Sequence, residues 1–179
     1  MLDEAEDTLA ASRGLARLIT KTGELIAQRL LKGGKILTAG NGGSAADAMH
    51  LAEELLGRFK SNRRPLPAIA LTADGTLLTC IANDFGFEEV FARQVEGLGR
   101  RGDVLVLFTS SGNSENLLRA VRAARKKGLT VISLLGKGGG KLRGKSHCDI
   151  LVPSKSTARV QEIHTLILHC WLEIIEASI

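Results

Sequence analysis

Two short loops carry groups from which an oxyanion site could be built. Ala39-Gly40-Asn41-Gly42-Gly43-Ser44 follows an apolar run and opens a helical segment. Glycines at a strand-to-helix turn permit positive φ and let backbone N–H groups close on an anion, and the helix start adds partial positive charge. Ser44 could cap that helix or bind the anion. The spacing fits neither the dinucleotide fingerprint nor a Walker loop, so a tight turn with a serine cap accounts for this loop equally well on its own. Thr109-Ser110-Ser111-Gly112-Asn113-Ser114 repeats the arrangement and shifts the balance, because its four hydroxyls and one asparagine exceed what a helix cap requires. In an open parallel sheet, ligands bind beyond the carboxyl ends of the strands, so the two turns could converge on one phosphate. Hydroxyls and N–H groups without a lysine suit a phosphate monoester that must bind and leave.

A second set of residues could move protons. On a helix over residues 45–59, Asp47, His50 and Glu54 share one face, opposite Ala48, Ala52, Leu55, Leu56 and Phe59. Such a trio is more often a solvent face than a site, and it lacks the zinc-protease pattern because no acid follows His50 directly. On a last helix over residues 159–176, Gln161, Thr165 and His169 form an i, i+4, i+8 line opposite the stripe Val160, Ile163, Leu166, Ile167, Cys170, Trp171 and Ile174. Leu168 and Leu172 flank that line, which suggests a polar stripe buried against another element. His164 lies at the edge of the apolar stripe and reads as a core or boundary histidine, and His147 sits in a loop with no sequence partner. Moving a proton between carbons beside a carbonyl requires a base at carbon and a second group to manage the oxygens. A glutamate and a histidine from different helices, tuned by burial and contact, would serve.

The elements that must position these groups follow from periodicity. Residues 35–39, 66–71, 104–109, 130–135 and 149–152 read as strands, separated by helical segments at 45–59, 77–81, 88–98, 114–127 and 159–176. The alternation predicts an α/β fold with a five-stranded parallel sheet covered on both faces. An amphipathic helix over residues 4–32 precedes the first strand and ends at Gly33-Gly34. It packs either on its own sheet or against a partner subunit. The chain thus divides into an N-terminal helical oligomerisation segment, 1–33, and a sheet sandwich, 34–179, within one domain. Lys137-Gly138-Gly139-Gly140-Lys141 is the most flexible candidate loop.

Composition narrows the class. The 179 residues suffice for one domain with a sizeable core, and 44% hydrophobic with 24% charged residues is that of a soluble globular protein. Aromatics at 3%, with no tyrosine, argue against stacking on single-stranded nucleic acid. The net charge of +5 suits an anionic substrate, and the basic clusters read as solvated helix ends and loops rather than a nucleic-acid surface. Cys80, Cys148 and Cys170 have neither zinc-ribbon nor disulfide spacing, and Cys80 and Cys170 read as buried thiols. The acidic start lacks a signal-peptide pattern and no run is long enough to span a membrane. A reducing cytoplasm, with no nucleic-acid or membrane partner, is the expected setting.

The glycine loop, the stretch Asp47-Ala48-Met49-His50 to Glu53-Glu54-Leu55, Ala82-Asn83-Asp84-Phe85-Gly86-Phe87, Ser111-Gly112-Asn113-Ser114, Gly136 to Lys141 and Gln161-Glu162-Ile163-His164 together resemble the phosphoheptose isomerases, a branch of the SIS-domain proteins. The resemblance covers nearly all of the chain after the first helix. It implies a flavodoxin-like sandwich assembled as a homotetramer, with active sites at subunit interfaces. The implied reaction converts sedoheptulose 7-phosphate to D-glycero-D-manno-heptose 7-phosphate, a first step towards the activated heptose of lipopolysaccharide. By motif match, Glu54 is similar to the family's acid/base glutamate and His169 to its catalytic histidine. Ser44, Ser111 and Ser114 match phosphate-binding serines, Thr109 stands where a serine is usual, and Gly42, Gly43 and Ser110 complete the two loops. Asn41, Asp84 and Gln161 match substrate-contacting positions. Some members bind zinc through residues matching His50, Glu54, Gln161 and His169. Ala158 stands where the family often has an aspartate. A rival resemblance is to non-catalytic SIS-domain tetramers that bind the bacterial replication initiator protein. Ala45-Ala46, Ala158 and Arg159-Val160-Gln161-Glu162 lean that way, whereas Glu54, His50 and His169 favour the enzyme.

Overall fold

Five aliphatic and β-branched runs pair into one fully parallel sheet in the computed structural model, which describes all 179 residues. The strands are β1 (Ile36–Gly40), β2 (Ala68–Ala70), β3 (Val104–Thr109), β4 (Thr130–Leu135) and β5 (Cys148–Leu151), in the order β2-β1-β3-β4-β5. All residues of β1 and β3 are buried, because parallel strands are covered on both faces. Their side chains divide by the two-residue period. Ile36, Val104, Val106, Phe108, Ile132 and Leu134 join one core with α2 (Ala16–Leu31), α3 (Gly43–Leu56) and α7 (Thr157–Ser178). Leu37, Leu105, Leu107, Val131 and Leu135 join the other with α4 (Gly75–Phe85), α5 (Ala92–Leu98) and α6 (Glu115–Lys127). The strand order reverses direction between β1 and β3, which puts the crevice for a ligand beyond their carboxyl ends.

The leading segment differs from the single helix expected. It forms α1 (Leu2–Ser12), a one-turn 3₁₀ segment at Arg13–Leu15 containing Gly14, and then α2. Packing within the same chain accounts for α2. Ile26, Ala27 and Leu30 are core residues, and the Trp171 indole on α7 donates to Ile19 O at 3.1 Å and Thr22 Oγ1 at 2.9 Å. Cys80 is also placed differently. It is exposed, because α4 buries only Ile81 fully and turns its other face outward.

The glycine run after β4 is held rather than loose. Gly112 and Gly140 lie so close to neighbouring backbone that a Cβ on Gly112 would fall 1.9 Å from Gly139 O, and one on Gly140 would fall 2.3 Å from Ser111 O. Only glycine permits that approach, and both residues have positive φ. Leu142 N–H donates to Gly112 O at 2.9 Å, and Lys141 N–H to Asn113 Oδ1 at 3.0 Å. The segment is a backbone buttress behind the hydroxyl-rich loop.

His164 faces the core between α7 and β3, fully buried, 6.1 Å from the Phe108 ring centre. Neither ring nitrogen has a hydrogen-bond partner. Burial pushes its pKa down from 6.5 to about 4, and the nearby Leu135 carbonyl, which favours the charged form, offsets little of this.

Two predictions follow from these contacts. Below pH 6.5 the unfolded chain takes a proton that the folded His164 refuses, so stability declines as pH falls and levels off near pH 4. The loss attributable to His164 is about 3 kcal/mol. Urea denaturation from pH 7.5 to 4 should therefore show a steeper decline for the parent than for His164→Leu, and parallel curves would contradict it. The buttress predicts that Gly140→Ala, still folded, weakens inorganic phosphate binding on the order of tenfold by titration calorimetry. Gly97→Ala, on α5 with open space around its Cα and no positive φ, should not.

Candidate active site

Three helices begin around one cavity. Asn41, Gly43 and Ser44 after β1, Thr109, Ser110, Ser111 and Ser114 after β3, and Thr157 and Gln161 on α7 line a space of about 300 Å³. The first turns of α3, α6 and α7 all open onto it, and none has a side-chain N-cap hydrogen bond. In α3, Ser44 and Ala45 N–H already donate to Asn41 O at 3.1 Å and Gly42 O at 2.9 Å, which leaves Gly43 N–H. With the starts of α6 and α7 and the three helix dipoles, these groups favour an anion here. The hydroxyls are arranged locally. Thr109 Oγ1 accepts from Gly112 N–H at 3.1 Å, and Ser111 Oγ accepts from Asn113 N–H at 3.3 Å, so both hydroxyl protons stay available. Ser44 lies within the first turn of α3 and is 3% exposed, while Gly42 is the N-cap residue.

Two expected contacts are redistributed. The Asn41 amide forms a reciprocal pair with Asn116, at 3.0 and 2.9 Å, and so ties the glycine loop to α6. Asp84 lies on exposed α4, accepting from Asn83 Nδ2 at 2.8 Å, away from the cavity lining. Thr157 was missed in the sequence, although a hydroxyl at a helix start opposite two phosphate-type loops was a readable signal.

The polar lines of α3 and α7 meet as their spacing suggested. Gln161 lies against Gly43, where a Cβ would clash with the amide at 2.6 Å. Four residues on, Thr165 Oγ1 donates to Asp47 Oδ1 at 2.9 Å, and four further on, the His169 ring meets His50 edge-on with centres 5.1 Å apart. Asp47 is 7% exposed, its other oxygen has no partner, and burial pushes its pKa up against the opposing effects of Thr165 and His50. The trio on α3 is therefore a helix–helix seam and not a solvent face.

Beyond Asp47 the seam opens. His50 Nε2 lies 3.4 Å from Glu54 Oε1, and one ligand atom from each of His50, Glu53 and Glu54 falls within 4.8 Å of the others. His169 stacks on Phe59, with ring centres 5.5 Å apart. α3 ends at Leu56, so Phe59 comes from the loop beyond it. Glu176 on α7 fixes that loop by accepting from Phe59 N–H at 3.1 Å and Ser61 N–H at 3.0 Å. Arg63 bridges Glu176 at 3.2 Å and the carbonyl oxygen of Glu54 at 2.7 Å. Burial raises the Glu176 pKa, but the N–H donors and Arg63 outweigh it and hold the group below its ordinary value.

The chain thus brings His50, Glu54 and His169 together and Gln161 to the phosphate cavity. Eight residues on one helix put Gln161 roughly 12 Å from His169 along the axis, so a single chain does not offer both to one small ion. Glu53, absent from the sequence-based set, stands in the cluster instead. The donors fit zinc by kind, since imidazole nitrogen and carboxylate oxygen are its usual partners.

A family model for the SIS domain matches residues 2–136. A phosphoheptose isomerase of Coxiella burnetii is 47% identical over 173 residues, spanning 95% of this chain and 87% of the relative. The solved phosphoheptose isomerase of Francisella tularensis superposes with a TM-score of 0.95 at 38% identity, covering 98% of this chain and 94% of that one. That of Neisseria gonorrhoeae superposes with 0.91 at 41% identity, covering 98% and 95%. Sequence and backbone course agree over nearly the full length, and the chain belongs to the SIS-domain family and, within it, to the phosphoheptose isomerases.

Proposed function

We propose that this enzyme converts sedoheptulose 7-phosphate to D-glycero-D-manno-heptose 7-phosphate, the first step towards an activated heptose for lipopolysaccharide. The observation that carries the reading is the alignment of two sites along one helix pair. An anion cavity built from uncapped helix starts lies at one end, and a carboxylate–imidazole cluster lies about 12 Å further along α7. That separation suits a long phosphosugar, whose phosphate and carbonyl ends lie far apart.

In this mechanism Ser44, Thr109, Ser110, Ser111, Ser114 and the α3, α6 and α7 N–H groups hold the phosphate. Gln161 closes the cavity over Gly43 and meets the sugar chain as it leaves. Glu54 removes the proton from the carbon beside the carbonyl and returns it to the neighbouring carbon, through an enediol. His169, held flat by Phe59, gives and takes the proton on oxygen. Positioned transfers of this kind contribute on the order of 10²–10⁴-fold. His50, Glu54 and Glu53 would hold a zinc ion, which when bound supplies Lewis-acid polarisation of the carbonyl.

A homotetramer with the site at a subunit interface accords with the surroundings. Met49, Leu56 and Leu166, beside the cluster, are 41%, 49% and 42% exposed, and a second copy would cover them. A partner's α7 would also bring a Gln161 within reach of a cluster from which this chain's own Gln161 lies roughly 12 Å along the axis. No helix is long and apolar enough to cross a membrane, which accords with work in the cytoplasm. The adaptor reading loses its ground, since the relatives above are named as isomerases.

Turnover of sedoheptulose 7-phosphate tests the assignment. Glu54→Gln keeps the side-chain shape and removes the base, so kcat should fall by about 10²-fold or more with KM little changed. His169→Ala should behave alike. Near-parental kcat in Glu54→Gln would sink the mechanism, and no turnover by the parent would sink the substrate assignment. For the metal, dialysis against zinc and elemental analysis should give stoichiometric ion in the parent and a lower ratio in His50→Ala. Equal ratios would remove His50 from the donor set.

A further inference from the structure

The opposite end of the sheet holds a second polar cavity. It lies beneath the amino ends of β1 and β3, has a volume of about 300 Å³ and has no hydrophobic residue in its lining. Arg29, Lys32, Lys35, Arg100 and Arg101 surround it with a single carboxylate, Asp103. Asp103 is 4% exposed and already saturated: it accepts from Lys35 N–H at 3.0 Å and Arg100 N–H at 2.8 Å, and it pairs with the Lys35 ammonium. The other four cations have no carboxylate within ion-pair distance anywhere in the chain. Arg29 Nε is buried without a hydrogen-bond partner.

Helix ends offer the obvious competing account, because cations gather where carbonyls point outward. Here at least one carbonyl at each nearby helix end is taken by a backbone N–H, Glu96 O is taken by Lys127, and none of the four cationic side chains donates to a helix carbonyl. Gly33 and Gly34 N–H close the end of α2 onto Leu30 O and Arg29 O, Gly99 N–H closes α5 onto Val95 O, and Leu129 N–H closes α6 onto Ala124 O. The four cations are surplus to helix capping. Their field is felt beyond the cavity: His147 is pushed below its ordinary pKa by burial first, and then by Arg125 and Arg29.

We propose that this cavity is a binding site for a diphosphate group, distinct from the phosphate cavity at the other end of the sheet. Four unpaired cations exceed the charge of a phosphate monoester, which carries about −1.5 to −2, and match that of a diphosphate. Guanidinium groups of Arg29, Arg100 and Arg101 offer paired N–H donors suited to its oxygens. The lining holds no aromatic side chain, and its apolar surface comes only from Pro67, glycines and the stems of the basic residues, a poor seat for a nucleobase. Inorganic diphosphate and a nucleoside diphosphate should therefore bind alike, with the base left in solvent.

The test is titration calorimetry with inorganic diphosphate and with ADP at physiological ionic strength, on the full chain. Lys32→Gln/Arg100→Gln/Arg101→Gln removes three cations from exposed positions, so folding and isomerase turnover should be parental. The inference expects this variant to lose at least about tenfold in affinity for both ligands. Ser111→Ala/Ser114→Ala, altered only at the catalytic end, should retain a diphosphate-binding phase of parental affinity. ADP binding at least tenfold tighter than diphosphate would show a base pocket and overturn the assignment. Parental affinity in the triple variant, complete loss in the serine variant, or equal binding of a single-stranded oligonucleotide per phosphate would overturn it as well.

Discussion

Three helices start at one point in this molecule, and their N–H groups find no side chain to receive them. Elsewhere the chain caps where it can. Asp74 at the start of α4 accepts from Leu77 N–H at 3.0 Å, and α2 and α5 grow out of turns already in helical conformation. Removing an N-cap typically costs about 1 kcal/mol, so three uncapped starts are a standing local cost. The topology makes their meeting unavoidable. With β1 and β3 adjacent and parallel, the loops after them must lie side by side, and α7 covers the same face. A phosphate bound as proposed would accept hydrogen bonds that the missing caps leave open, and the sheet order would thereby supply a substrate site.

The second requirement is that α3 and α7 be held in register, because one carries Glu54 and the other His169. Mostly apolar packing between helices permits sliding, whereas a buried hydrogen bond does not. The Asp47–Thr165 bond fixes the axial position, and Gln161 over Gly43 limits how the helix starts can separate. At the far end Arg63 and Glu176 join the α3 carbonyl end, the Phe59 loop and α7 in one network. The proposed acid/base pair, Glu54 and His169, lies between these fixed points, which limits its drift more than contacts of its own would. Misplacement by about 1 Å can reduce rate on the order of 10²-fold, so such restraint has kinetic value.

Periodicity made the sheet legible. Three strands fall within the expected segments and two, β1 and β5, overrun theirs by one residue, because parallel strands buried on both faces give short apolar runs bounded by turns. The i, i+4, i+8 line on α7 and the i, i+3 and i+7 positions on α3 also revealed the two faces that meet. What failed to show was set by backbone packing and by loops. Nothing in Gly138-Gly139-Gly140 distinguishes a loose run from a buttress pressed on Ser111 and Gly112, since the deciding contact is with backbone far away in sequence. Phe59 looked like a core residue of a longer helix, but α3 stops at Leu56 and frees the ring for His169. Asn41 does line the cavity, but its tie to Asn116 on another element could not be read from its type. A motif also cannot show whether Gln161 and His169 serve one ion, because matching a pattern does not measure eight residues of helix.

Charge is distributed along the sheet in a way that separates two modes of anion recognition. The catalytic end offers hydroxyls, amides and N–H groups, and neither lysine nor arginine lines its cavity. The amino end collects five cations around one carboxylate. Charge-assisted hydrogen bonds are roughly twice as strong as neutral ones, and they act equally on substrate and product when both carry the same phosphate. Strength of that kind at the catalytic end would lower KM and slow release without stabilising the transition state over the bound sugar. Neutral donors at helix starts hold the phosphate firmly enough to align a long chain while still letting it leave. An enzyme that must turn over a phosphosugar therefore gains from keeping its lysines and arginines away from the phosphate, and none lines the cavity proposed to hold it.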